Sequence, residues 1–328
     1  MSELKEYQAL VVGPKLKAQE RLSPTSINTF YKCPRQYYYT YIAKMRIEPN
    51  IHLIKGGIVH KALEDFFKGY KKNLYEVLFK FFESAWKKET KRIKDLSLSL
   101  EEEQIAYNDC KGILEEYFQS FIRKVNHLQL IKKAENESHA FYLLKPKFRE
   151  KWVESKKLHL CGYIDRVTEG YDGLLTLGDY KTSKKYGLGL PEDYKRQLAL
   201  YSLLWKDIEN TMPDFVAVDF LRYGESYFLE VTPSLIKYAR DALDYVWART
   251  RSTNIDDYPL KESRLCGWCA FNDVCSGQAS WNKKYREEQM IKLVENKEKT
   301  ISTAPEQKAE QKKLGDTDEK QKVDNAKD

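Results

Sequence analysis

Long hydrophobic runs are what this 328-residue chain most plainly lacks. No apolar stretch approaches the roughly 20 residues that a membrane-spanning helix needs. The opening Met1-Ser2-Glu3-Leu4-Lys5-Glu6 carries no apolar leader segment. A soluble, cytoplasmic protein with no membrane partner is the expectation. There is no G-x-G-x-x-G turn after a strand, so no flavin or dinucleotide site is indicated and an electron-transfer role is disfavoured. No internal repeat is evident. Charge of one sign is also scarce, since a formal net charge of +7 is compatible with nucleic acid without being diagnostic of it. Cysteines number only six, and in a reducing compartment they argue for metal ligation rather than disulfides.

What is present begins with a core. A content of 42% hydrophobic residues is enough to fill one large domain or two small ones. Residues 1–21 read as a polar arm, and 22–282 as the foldable domain, with a helical section over 58–130. Residues 283–328 are rich in Lys, Glu, Asp, Gln and Asn and read as a disordered, charged tail.

The chemistry concentrates between Leu158 and Tyr201. Leu158 to Val167 and Leu174 to Thr182 are two alternating, β-prone runs around Gly170-Tyr171-Asp172-Gly173, which predicts a hairpin. Asp179 and Lys181 are two apart and share a face, with Tyr180 opposite. Asp165 joins them only if the register pairs odd positions with odd ones. A two-residue Asp172-Gly173 turn breaks that parity, so a three- or five-residue loop, or a bulge, is predicted. Two carboxylates and an ammonium on one sheet face suit a hard divalent cation and an attacking water. A surface hairpin with a cross-strand salt bridge is the plain alternative.

Gly162-Tyr163-Ile164-Asp165-Arg166, then Gly178-Asp179-Tyr180-Lys181-Thr182-Ser183, then Gln197 and Tyr201 four residues apart resemble the core motifs of the PD-(D/E)XK nucleases in their RecB-like branch. The resemblance implies an α/β, restriction-endonuclease-like core: a mixed sheet flanked by helices, with a helical insertion and an iron–sulfur closure. It implies metal-dependent hydrolysis of DNA phosphodiesters. His60, in the Gly56-Gly57-Ile58-Val59-His60 string, Asp165, Asp179 and the Tyr180 carbonyl would bind Mg²⁺ or Mn²⁺. Lys181 would position the water, while Arg166, Gln197 and Tyr201 would place the nucleic-acid strand. The family commonly adds a glutamate on the strand before the hairpin. With Glu135 to Leu143 read as that strand, Glu137 is preferred as the auxiliary acid and Glu135 competes.

Elsewhere the chain is helical in pattern. Ser23 and Pro24 form an N-cap and first helical position, and Tyr37 to Tyr41 follow at helical spacing. Those tyrosines could stack single-stranded bases, but an amphipathic core with wet hydroxyl tips is the favoured reading. Gly56 to His60 opens a periodic helix with His60 in its first turn. Between Leu74 and Leu130 two amphipathic helices are split at Ser97-Leu98-Ser99, with Ser99 and Glu102 as a capping box. A Gly-rich loop over 186–191 precedes a helix from Glu192, then a strand pair, then a helix from Ser234.

Cys266, Cys269 and Cys275 give a C-x2-C-x5-C set, and Cys33 supplies a fourth thiolate if the N-terminal helices fold back. This one-early, three-late arrangement resembles the iron–sulfur AddB and CRISPR-associated RecB-like exonuclease groups, where it holds a 4Fe–4S cluster. Structural Zn²⁺ competes on ligand chemistry alone. Cys110 and Cys161 read as small buried residues. The resemblance points to an exonuclease on single-stranded DNA ends in repair, recombination or CRISPR adaptation, partnered by a helicase or other recombination or adaptation proteins. A DNA-binding recombination scaffold with secondary or lost catalysis is the alternative.

Overall fold

A computed structural model describes residues 16–45, 47, 50–184, 189–272 and 274–275. Residues 1–15 of the expected 1–21 arm, residues 186–188 of the 186–191 loop and the charged tail lie outside the described residues. The chain divides into two compact units, one up to Pro259 and one from Leu260.

In the first unit the N-terminal helix α1 (Pro24–Lys32) starts where its cap residues require. The Ser23 hydroxyl accepts the Ser26 N–H, and Ser26 returns the bond to the Ser23 backbone. A short α2 (Pro34–Tyr37) runs on as a π turn over Tyr38–Ile42, with Tyr37, Tyr38 and Tyr39 buried, in line with the core reading of these tyrosines. Helix α3 (Ile51–Phe66) is capped by Asn50, whose side chain accepts the Leu53 N–H. The helix therefore begins five residues earlier than the Gly56-Gly57 pair suggested, and His60 lies in its third turn rather than its first. Two glycines read as a start signal are carried inside the helix because Ile54, Ile58, Val59, Ala62 and Phe66 bury one side of it.

Helices α4 (Leu74–Lys94) and α5 (Leu100–Leu130) are separated at Ser97–Ser99, and Ser99 with Glu102 forms the reciprocal capping box. Together with α3 and α6 (Glu137–Leu144) they enclose an aromatic core that includes Phe66, Phe67, Phe82, Phe121 and Phe141. Each such ring taken fully from water contributes about 1.5–3 kcal/mol.

Helix α6 corrects the sequence reading, which had this stretch as a strand. The Asn136 side chain accepts the His139 N–H and caps the helix, and Ala140 and Phe141 turn into the helical core. The strand before the hairpin is β1 (Phe148–Ser155), which starts just beyond Pro146.

Strands β2 (Leu160–Glu169) and β3 (Leu175–Lys181) form the hairpin. Val167 pairs with Leu177 and Glu169 with Leu175, so odd positions meet odd ones across a five-residue loop, Gly170–Leu174. Gly173, at φ 80°, supplies the left-handed residue that this loop needs. Helix α7 (Glu192–Glu209) then crosses over to β4 (Phe215–Phe220), which lies parallel to β3. Strand β5 (Glu225–Glu230) closes a mixed five-stranded sheet in the order β1-β2-β3-β4-β5, and α8 (Pro233–Arg249) follows. Helix α7 packs on one sheet face, where Ser155 and Lys151 bond to its Asp207 and Glu209. Helix α5 approaches the other face, where Tyr117 meets Tyr180. This is the α/β, restriction-endonuclease-like core that was expected: a mixed sheet flanked by helices, with a helical insertion. No described helix is long and apolar enough to cross a membrane.

In the second unit, Ser263 caps a single 3₁₀ turn, Arg264–Trp268. Cys266 lies in it, and Cys269 and Cys275 follow. The Ser263 N–H donates to Cys266 Sγ at 3.4 Å, and the Cys269 N–H to the Cys266 carbonyl at 3.1 Å.

Candidate active site

The β2–β3 ladder runs from Glu169–Leu175 to Arg166–Gly178 and stops there. One step further, Asp165 and Asp179 would face each other as a regular pair. Instead Asp165 Oδ2 accepts the Tyr180 N–H at 2.6 Å, so a side chain replaces a ladder bond and the strands part. The β1–β2 ladder is interrupted at the same level, omitting Glu150 and Asp165 between Arg149–Arg166 and Lys151–Ile164. Glu150 there sits at φ 44°, a left-handed conformation that costs a non-glycine residue energy and is found where surrounding structure holds it for a purpose.

Into this opening α3 delivers His60. Its Nδ1 lies 3.3 Å from Glu150 Oε1 and 3.6 Å from Asp165 Oδ2, and its Nε2 lies 3.2 Å from the Tyr180 carbonyl. Ligand atoms of His60, Glu150 and Asp165 all fall within 4.8 Å of one another, so the three could hold a metal ion. Nitrogen and carboxylate donors around a backbone carbonyl suit a hard or borderline divalent cation.

Asp179 completes the group from β3. It is 2% exposed, and its Oδ1 accepts from Gln197 Nε2 at 2.7 Å. Its Oδ2 lies 2.7 Å from Lys181 Nζ yet makes no hydrogen bond of good geometry. A buried carboxylate oxygen left under-used in this way fits a cation ligand. Lys181 Nζ also donates to Gln197 Oε1 at 3.0 Å and lies 4.9 Å from the centre of the Tyr194 ring. Gln197 in turn donates to Tyr201 Oη at 2.8 Å. The spacing of four along α7 thus puts an amide and a phenol on one helix face, and together they fix the acid and the amine.

The electrostatics follow from crowding. Burial and the neighbouring Asp179 charge raise the Asp165 carboxyl above the usual carboxylate range against the opposing pull of His60. Burial works against a charged His60, but the Glu150 hydrogen bond and the charges of Asp165, Glu150 and Asp179 outweigh it and lift the imidazole to about 9. Burial also opposes the Lys181 ammonium, and Asp179 more than offsets it, so its pKa is raised. Acids packed this closely are costly without a cation among them.

Of the residues singled out in the sequence, the structure brings together His60, Asp165, Asp179, the Tyr180 carbonyl, Lys181, Gln197 and Tyr201. Two others stand elsewhere. Glu137 is at the start of α6, where its carboxylate accepts the Tyr70 hydroxyl at 2.8 Å, so it belongs with the helical core. Arg166 points to the α5 side of the sheet. Its Nε donates to Asp219 Oδ2 at 2.6 Å and its Nη1 to Thr168. The side chain folds across Gly178, where a Cβ would come within 2.4 Å of Nε, so only glycine fits beneath it. Both groups of this ion pair border a cavity of about 400 Å³ between α5 and the sheet, lined also by Tyr117, Lys124 and Tyr180. The residue that sequence reasoning missed is Glu150. The signal lay in Phe148-Arg149-Glu150-Lys151-Trp152-Val153, a run directly ahead of the hairpin with aromatics and charges intermixed.

The acid group thus stands on parting strands, with a lysine and a glutamine beside it. The chain belongs to the PD-(D/E)XK nuclease superfamily, whose profile matches residues 21–276. That family comprises nucleases that use divalent metals. No curated protein matches the chain. Among solved structures, one that is similar is a protein from Eubacterium rectale provisionally designated an exonuclease. It is 12% identical, with a TM-score of 0.47 over 77% of this chain and 88% of that one, a likeness too slight to carry an argument.

Proposed function

We propose that the protein is a deoxyribonuclease that uses Mg²⁺ or Mn²⁺ to hydrolyse phosphodiester bonds, as an exonuclease on single-stranded ends. The observation that carries this reading is the meeting of His60, Glu150 and Asp165 beside the Asp179–Lys181 pair. His60, Glu150, Asp165, Asp179 and the Tyr180 carbonyl would hold the cation. When bound, a divalent ion supplies Lewis-acid polarisation of a phosphate oxygen and lowers the pKa of water. Lys181, held by Asp179 and Gln197, orients the attacking water and offsets charge on the pentavalent phosphorus. Tyr201 fixes Gln197, and Gln197 keeps the acid and the amine at a constant separation. Water oxygen bonds to phosphorus and gives up a proton to solvent, the phosphorus–ester oxygen bond breaks, and the leaving oxygen takes up a proton from solvent.

The pathways that suit such an enzyme are repair, recombination and CRISPR adaptation, with a helicase or other recombination or adaptation proteins as partners. Cys33, Cys266, Cys269 and Cys275 form the ligand set of a 4Fe–4S cluster in this reading, with Zn²⁺ as the competing occupant. The spacing and the N–H bond offered to Cys266 Sγ support a thiolate centre. The visible spectrum of anaerobically purified protein separates the two, since iron–sulfur centres absorb there and zinc does not.

The test of the activity is incubation with end-labelled single- and double-stranded DNA and Mn²⁺. Shortened products are expected from the single strand, and Lys181→Ala should lose about 10²- to 10⁴-fold in rate. Equal activity in the two proteins overturns the assignment.

A further inference from the structure

Two residues beyond Glu150 on β1 stands Trp152, and two before Asp165 on β2 stands Tyr163. The two are cross-strand partners. Their ring centres are 4.8 Å apart, and the side chains are 47% and 55% exposed. Their strand neighbours are buried: Val153 on one side, Gly162 and Ile164 on the other, with Gly162 pressed against Pro24 and Tyr201. Over this stretch of β1 and β2 one face is thus packed, and the other offers a tryptophan and a tyrosine to water. A cross-strand aromatic pair stabilises a sheet only modestly, which does not require that both rings stay wet.

We propose that Trp152 and Tyr163 form a stacking platform for unpaired bases of the DNA strand whose scissile phosphate lies at Glu150, Asp165 and His60. The proposal rests on the nuclease reading and narrows its substrate to single strands. Two residues along a strand span about 7 Å, which corresponds to about two stacked nucleotide steps of roughly 3.4 Å. Bases on the platform therefore belong to the nucleotides next to the cleaved bond. Every base has a π-face, so the platform accepts any sequence, whereas a duplex keeps those faces inside its own stack. Adjacency to the acid group is what favours DNA over another occupant: the rings stand two residues from Glu150 and Asp165 along the same two strands.

The experiment uses the full chain carrying Lys181→Ala, which blocks turnover, with Mg²⁺ and fluorescent single-stranded and duplex oligonucleotides. Trp152→Ala and Tyr163→Ala should each weaken single-strand binding by about 5- to 150-fold and leave duplex binding unchanged, while Trp152→Phe retains most of the affinity. Thermal unfolding of each variant accompanies the titrations. Unaltered single-strand affinity in both alanine variants overturns the platform, as does an equal loss on single strand and duplex. Hydrolysis by the wild-type chain is read separately. Selective loss of single-strand affinity without any hydrolysis supports the platform and removes the nuclease reading, whereas hydrolysis with unaltered affinities removes the platform alone.

Discussion

Replacing Arg166 by Met asks whether this residue serves the fold or the substrate. Its guanidinium is 13% exposed and its partner Asp219 11%, with 2.6 Å between Nε and Oδ2. Asp219 also accepts from Ser226, so the acid is held from two strands and cannot swing to solvent. Arg166→Met keeps the length of the stem but leaves a buried carboxylate without its counter-charge. Breaking one side of a buried pair costs about 3–5 kcal/mol, a large share of the roughly 5–15 kcal/mol that separates folded from unfolded chains. At about 2–4 °C per kcal/mol the melting temperature should fall by roughly 6–20 °C. Adding Asp219→Leu removes the stranded charge and should recover much of that loss. Calorimetry of the wild type and the two variants gives the stability, and oligonucleotide titration gives the affinity per folded molecule, which should be unchanged. A variant that melts with the wild type and binds DNA more weakly would refute the reasoning and return Arg166 to the substrate.

Glu150→Gln should lower the metal-dependent rate by at least about 100-fold, since even second-sphere groups at metal sites are worth 10- to 100-fold. Glu137→Gln, lying with Tyr70 in the helical core, should leave the rate within error. The same cleavage assay reads both, and an inverted pattern would restore the original choice of acid. Asp109 is held well below the usual carboxylate range by Arg222, which bonds it through both terminal nitrogens, and by Lys55. A carboxyl depressed in the folded state contributes stability fully above its unfolded value of about 4 and loses it as pH falls through the folded value. Urea unfolding should therefore show Asp109→Asn weaker than wild type at pH 7, with the gap closing on acidification. A gap that stays constant as the pH falls would contradict this.

The hairpin was the most legible feature because its constraints are local. Two alternating runs, a glycine-bearing loop and the requirement that Asp165 and Asp179 meet together demanded an odd loop, and five residues are found. Helix starts with a polar cap, at Ser23 and Ser99, were equally readable. The errors came where tertiary packing outweighed local signal. Glu135 to Leu143 carries the aromatics of a strand, but Asn136 caps it and Phe141 completes a cluster with Phe66 and Phe121 that no local pattern reveals. The misplaced strand then drew the auxiliary acid to Glu137 and away from Glu150, whose left-handed backbone coincides with the break in the β1–β2 ladder. Gly56 and Gly57 misled for a related reason: the helix that carries His60 is held by buried residues on either side of them. Arg166, given by motif to the nucleic-acid strand, is found paired with Asp219. Its place one residue from Asp165 on a strand already allowed for the opposite face, and the need for a partner as buried as Asp219 became visible only with β4 in place.

The central claim is that one divalent cation sits where α3 meets the parted strands. Its most direct test is a crystal of the full chain grown with Mn²⁺ and measured for anomalous scattering. A peak at about 2.0–2.3 Å from His60, Glu150 and Asp165 is the predicted result. A peak bound by other residues, or ordered side chains of all three with no peak among them, would contradict it.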